Sequence, residues 1–240
     1  EFKNGTSCGG ICSERKDVIF AGSNGGMLHA FDATNGTNGC DELWAYIPPN
    51  LLGKLSNIIS SQANQTNSIY GVDGSMVIKD IYYDDTPTNN IDDPSWKTIL
   101  LAGLGAGGHG YFALDITDIN SPKHLFAILN DTLDNIITHW DSDEVSTQYN
   151  YGGGSISPEF DYRKLGEAWS TPRIIRIKHN SKDKWVAVFG GGFNGAVNPD
   201  YGSAVFIMDL ENEGKLLKKI DIADIEKYPP VNASYKGTGT

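Results

Sequence analysis

Short apolar runs alternate with polar turns along the whole chain, and three of them line up as a repeat. The first unit reads Val18–Gly22, Leu28–Asp32 and Glu42–Tyr46. The second reads Ile99–Gly103, Tyr111–Asp115 and His124–Ile128, and the third reads Val186–Gly190, Val205–Asp209 and Lys215–Lys219. Each unit is a strand, a glycine-rich turn, a strand ending in Asp, a polar turn and a strand. Near-alternation of apolar and polar positions predicts one more strand ahead of the second unit (Val72–Ile81) and of the third (Ser170–Ile177). Internal repeats of this kind signal stacked supersecondary units. Four antiparallel strands per unit is the make-up of a β-propeller blade.

The pattern therefore predicts an all-β fold: a β-propeller of four-stranded antiparallel blades, about three blades of a larger ring, with long loop insertions. The blades are expected at about 17–47, 70–130 and 168–221, after an upstream segment 1–16 that carries a cysteine pair. The repeated aspartates fall 115 − 32 = 83 and 209 − 115 = 94 residues apart, well above the roughly 40–45 residues of a plain blade. Insertions at 48–69 and 131–167 account for the excess. Leu51–Ile59 predicts a short helix in the first. The second is rich in Asp, Asn, Ser and Gly and reads as loops on a propeller face, so removing 133–163 is expected to spare folding and weaken partner binding.

Gly103-Leu-Gly-Ala-Gly-Gly108 is a literal G-x-G-x-x-G after an apolar strand. A dinucleotide site needs those glycines to open a helix facing the pyrophosphate. Here an aromatic strand follows, Tyr111-Phe-Ala-Leu-Asp115, so Gly103–Gly110 reads as a hairpin loop.

Composition narrows the function. Of 240 residues 28 are glycine, in keeping with many turns, and 39% hydrophobic content is enough for a globular core. Thirty acidic against 19 basic residues give a net charge of −11, with no basic stripe, which argues against a nucleic-acid partner. No apolar run is long enough for a transmembrane helix. The chain opens at Glu1-Phe2 and reads as a segment of a longer protein. Cys8 and Cys12 lack the spacing and second pair of a zinc knuckle; a disulfide between two of Cys8, Cys12 and Cys40 fits better, with the pairing open.

Three stretches resemble signatures of the PilY/PilC family of type IV pilus-associated proteins. They are Val18–Gly36, Gly103–Asp118, and Glu167–Pro172 with Lys184–Gly190. The resemblance spans about residues 17–220. It implies a C-terminal β-propeller and a non-catalytic surface protein acting in pilus assembly, retraction control and adhesion. It implies export through the periplasm to the outer membrane, cell surface or pilus tip. Its partners would be pilins, minor pilins and a host or abiotic surface. Calcium is implied only for the parent protein, through an EF-hand-like loop further along that this stretch does not contain.

Single residues add little chemistry. Asp32, Asp115 and Asp209 end equivalent strands and read as turn acceptors for backbone N–H groups two residues on. Trp44, Trp169 and Trp185 read as packing between blades. Trp44 also resembles the docking tryptophan of quinoprotein propellers, whose members are dehydrogenases using pyrroloquinoline quinone; that is the alternative function. Asp141, Asp143 and Glu144 are the best local metal candidates, although they lack the remaining positions of an EF-hand. Asp84-Asp85 and Asp92-Asp93 read as solvated loop charges. His29, His109, His124, His139 and His179 lie at no nucleophile motif, so no catalytic residue is assigned. Sequons at Asn4, Asn35, Asn64, Asn130 and Asn232 read as surface loops.

Overall fold

In the computed structural model, residues 16–34, 39–64, 69–83, 95–193 and 201–222 are described. Three antiparallel sheets follow one another along the chain, each with its strands in sequence order. The first holds β1 (Val18–Gly22), β2 (Leu28–Asp32) and β3 (Glu42–Tyr46). A 3-10 turn at Pro49–Lys54 leads into α1 (Leu55–Asn64). The second sheet holds β4 (Met76–Tyr83), β5 (Ser95–Gly103), β6 (Gly110–Asp115), β7 (Lys123–Asp131), β8 (Ile136–Trp140) and β9 (Ser146–Asn150). The third holds β10 (Arg173–His179), β11 (Lys182–Gly190), β12 (Ala204–Asp209) and β13 (Leu216–Asp221). The all-β reading, the helix in the first insertion and the Gly103–Gly110 hairpin all agree with this order.

The second sheet lies between the other two. All six residues of β6 are buried, because both faces of the strand are covered. Tyr111 and Ala113 join one apolar cluster with Phe189, Phe206 and Met208 of the third sheet. Phe112 and Leu114 join the opposite cluster with Leu28 and Leu51, against Trp44 and Tyr46 of the first sheet. A strand covered on both faces loses alternation and reads as a continuous apolar run. Burying a Phe-sized side chain contributes about 2–3 kcal/mol, so this strand anchors the stack.

Repetition extends to register. The strand-ending aspartates pair with Val18, Ile99 and Val186 respectively. Each of β2, β6 and β12 has a register shift just before its Asp: Ala30/Phe31, Ala113/Leu114 and Ile207/Met208. A bulge re-aims the strand and strengthens its twist.

Strand number departs from the four-strand expectation. The sheets hold three, six and four strands. The stretch 131–167, expected as loops, contains β8 and β9, which pair in turn onto β7. Its polar composition misleads because β9, Ser-Thr-Gln-Tyr-Asn, is an exposed edge strand. Tyr149 is the half-buried residue of that strand and stacks on Phe160 at 4.5 Å. Ile137, Tyr162 and Leu165 from the same stretch are fully buried in the cluster shared with the third sheet. Asp161 takes Arg163 and Lys219 as partners, tying the stretch to β13. Burial pushes the Asp161 carboxyl up, but these two cations outweigh it and hold it at about 2.

Residues 133–163 thus contribute Ile137, Phe160 and Tyr162 to the core. Deleting them should abolish the cooperative unfolding transition followed by circular dichroism, and a deletion variant that melts like the intact chain would overturn this assignment.

Candidate functional site: the glycine-loop face

At one end of the stack, the crossover entering each later sheet lies against the glycine loop of a neighbouring hairpin. The crossover into the second sheet bonds both neighbours, Val72 N–H to Ser23 O at 3.0 Å and Asp73 N–H to Leu104 O at 3.2 Å. The crossover into the third does likewise: Ala168 N–H reaches Gly108 O at 3.2 Å, Gly166 N–H reaches Gly191 O at 2.8 Å, and Glu167 N–H reaches Phe193 O at 2.6 Å. Two glycines make this possible. A Cβ on Gly107 would stand 1.7 Å from the Gly71 carbonyl oxygen. One on Gly192, whose φ is +82°, would stand 1.8 Å from the Glu167 carbonyl oxygen. The G-x-G-x-x-G is therefore a packing loop between two strands, with no helix for a phosphate to face.

Polar side chains fill the space beneath the loop. Lys54 donates to the Gly107 carbonyl oxygen. Asn50 donates to the carbonyl oxygens of Tyr111 and Ile128, both at 3.2 Å. Asn130, 2% exposed, donates to Leu165 O at 2.8 Å and accepts from the Tyr151 hydroxyl at 2.9 Å. The sequon at Asn130 is thus buried structure, a correction to its surface reading. Asn64 ends α1, while Asn4, Asn35 and Asn232 lie outside the described residues. Burial lowers the pKa of Lys54, opposed by the charges of Asp131 and Glu167. Burial also lowers that of His109, whose ring lies 6.5 Å from Tyr201.

The opposite end carries the repeated aspartates in the expected role. Each accepts the backbone N–H two residues on, at 2.9 Å for Thr34 and Thr117 and 3.0 Å for Glu211. Each also has a lysine partner that sequence reasoning missed. Lys16 meets Asp32 at 2.9 Å, Lys97 meets Asp115 at 3.6 Å and Lys184 meets Asp209 at 2.6 Å. Every lysine sits two residues before the Val or Ile that pairs with its aspartate, so a Lys-x-[Val/Ile] repeat was the available signal. The Thr34 hydroxyl, then Lys16, holds the Asp32 carboxyl at about 2.

Two histidines join sheets at this end. His124 shares a 2.7 Å hydrogen bond with the Tyr46 hydroxyl of the first sheet, and its Nε2 is buried. His139 bonds the Glu213 carbonyl oxygen of the third sheet at 2.7 Å. Burial lowers both pKa values; Glu144 and Asp141 oppose it at His124, and the bond to Glu213 opposes it at His139.

Asp141, Asp143 and Glu144 form the β8–β9 turn. The Asp141 carboxylate accepts the N–H groups of Asp143 at 3.1 Å and Val145 at 2.8 Å. Among the described residues no three His, Cys, Asp or Glu side chains converge closely enough to hold a metal ion. Asp84-Asp85 and Asp92-Asp93 lie outside the described residues, as do Cys8 and Cys12; Cys40 is exposed and forms no disulfide among the described residues.

Trp44 and Trp185 bridge sheets as expected, donating to Ile119 O at 2.7 Å and Tyr82 O at 2.8 Å. Trp169 departs from that reading: it is 45% exposed and donates to Glu167 Oε2 at 2.8 Å. His29 lies between Ser23 Oγ at 3.1 Å and Glu42 Oε1 at 2.6 Å. That is the order of a nucleophile relay. The Ser23 hydroxyl, however, also bonds Met27 O at 3.1 Å, and the chain closes the β1–β2 hairpin. Nothing in the spacing of these three residues marks them in sequence.

A family profile described as "PilY1 beta-propeller domain" matches residues 4–232. A "Type IV pilus biogenesis factor PilY1 homolog" from Xylella fastidiosa is 32% identical over 95% of this chain and 12% of its own length. A "Type IV pilus biogenesis factor PilY1" from Pseudomonas aeruginosa is 29% identical over 87% of this chain and 14% of its own. The chain thus spans about an eighth of those relatives. The crystal structure of the Pseudomonas aeruginosa PilY1 C-terminal domain superposes with a TM-score of 0.52 at 24% identity, covering 90% of this chain and 32% of that one.

Gly107→Ala should destabilise the chain by about 3 kcal/mol, since the new methyl must push the crossover backbone away; chemical denaturation checks this, and an unchanged midpoint would refute the packing role. The lowered histidine pKa values set a second expectation. The unfolded chain binds protons at these sites below about pH 6.5 while the folded chain resists them. Stability should therefore fall by a few degrees of melting temperature between pH 8 and 6, and His124→Gln with His139→Gln should flatten that slope.

Proposed function

The chain belongs to the PilY1 β-propeller family, and from that premise we propose that it is a non-catalytic binding part of a type IV pilus-associated surface protein. The observation that carries this reading is the family match over residues 4–232, with relatives named as type IV pilus biogenesis factors. The architecture suits binding. Sheets locked by backbone contacts form a rigid support, and the loops and edge strands around them are free to vary. In this reading the longer protein is exported through the periplasm to the outer membrane or pilus tip. There it contacts pilins or minor pilins, supports assembly against retraction, and attaches the cell to a host or abiotic surface.

Deleting the parent gene and counting surface pili beside an adhesion assay tests it. Loss of pili is expected for a role in assembly or in opposing retraction. Normal pili with lost adhesion would make the protein a tip adhesin. Unchanged pili and adhesion would overturn the reading.

A further inference from the structure

Trp169 is the residue whose expected packing role the fold leaves unfilled. It lies in Glu167-Ala168-Trp169, the crossover into the third sheet. Ala168 is fully buried, whereas Trp169 is 45% exposed. Glu167 pairs across a narrow bridge with Phe193, the two exchanging both backbone hydrogen bonds, Glu167 N–H to Phe193 O at 2.6 Å and Phe193 N–H to Glu167 O at 3.1 Å. Directly paired residues put their side chains on the same face. Phe193 is 42% exposed on that face. The indole N–H of Trp169 donates to Glu167 Oε2 at 2.8 Å, which holds the carboxylate beside the indole.

The geometry points to a binding site for a lysine or arginine side chain of a partner protein, with its charge on Glu167 and its stem against Trp169 and Phe193. Aromatic faces attract cations through their quadrupole, and long basic side chains lay their methylenes on apolar surface. The indole N–H is already committed to Glu167, so the ring offers its face. The chain's charge of −11 draws a basic partner toward it. Lys54 and His109 also feel the charge of Glu167. Lys54 donates to the Gly107 carbonyl oxygen, so its ammonium is directed there, while Glu167 Oε2 takes the indole N–H. The site is one contact within the binding role proposed above and rests on that reading.

The test titrates the full chain with an acetylated, amidated (Gly-Lys)4 peptide and its (Gly-Glu)4 counterpart at about 0.15 M salt, reading affinity by calorimetry. The lysine peptide should bind and the glutamate peptide should not. Glu167→Gln keeps an acceptor for the indole and should weaken lysine-peptide binding about tenfold with an unchanged melting temperature; Phe193→Ala should weaken it too. Equal binding by wild type, E167Q and F193A would trace the attraction to the acidic surface at large and overturn the site. Binding of both peptides alike, or of neither, would overturn it as well. Pilus counts in the deletion strain are read separately, so failure here leaves the pilus role standing.

Discussion

Backbone contact between each crossover and a neighbouring glycine loop is the constraint on which the rest of the stack depends. At Gly107 against Gly71 and at Gly192 against Glu167 there is no room for a Cβ, so the sheets meet there at main-chain distance. That distance fixes the side-chain sizes the interior accepts. Ala102, Ala113, Ala127, Ala168, Ala187 and Ala204 are fully buried beside Tyr111, Phe112 and Phe206. Small residues let the backbones close while the large rings fill the wedge between them. Interiors packed to crystal-like density tolerate little departure from such a set.

The other end of each sheet is held by charge and side-chain hydrogen bonds. Three aspartates tie down the turn that follows each strand and take a lysine from the neighbouring strand or, for Asp32, from the residues just before it. These carboxylates are nearly buried, and a buried carboxylate must find donors or lose its charge. The bulge two residues before each aspartate turns the strand end toward those donors. Backbone intimacy at one end and ionic anchoring at the other form one repeated unit.

Much of this repeat was legible in the sequence, because period-2 patterning, glycine turns and terminal aspartates are local signals. The hairpin loop at Gly103–Gly110 and the extra strands β4 and β10 follow from the same patterning. What escaped was decided by tertiary partners. β9 looks like a loop because it is exposed along almost its whole length, with Tyr149 alone half-buried, and so carries no apolar alternation. Each lysine looks like ordinary surface charge until its aspartate is placed across the strand. Ser23, His29 and Glu42 are brought together only by the hairpin and the register of β3. Composition alone predicts none of these, since the same residues elsewhere in the chain have other neighbours.

Trp169 shows how the same constraint shapes the outward surface. Because Ala168 turns inward to let the crossover approach the Gly103–Gly110 loop, its neighbour Trp169 is directed out, with Glu167 half-buried beside it. The bridge to Phe193 brings an aromatic ring to the same side. A tryptophan packed between sheets, as Trp44 and Trp185 are, uses its N–H on a carbonyl of the adjacent sheet. Trp169 uses its N–H on a carboxylate of its own crossover, which orients that charge without joining two sheets. Exposed aromatic surface around an oriented charge has little value for stability and much for recognition. Packing on the inner side of the crossover thus accounts for the residues presented on its outer side.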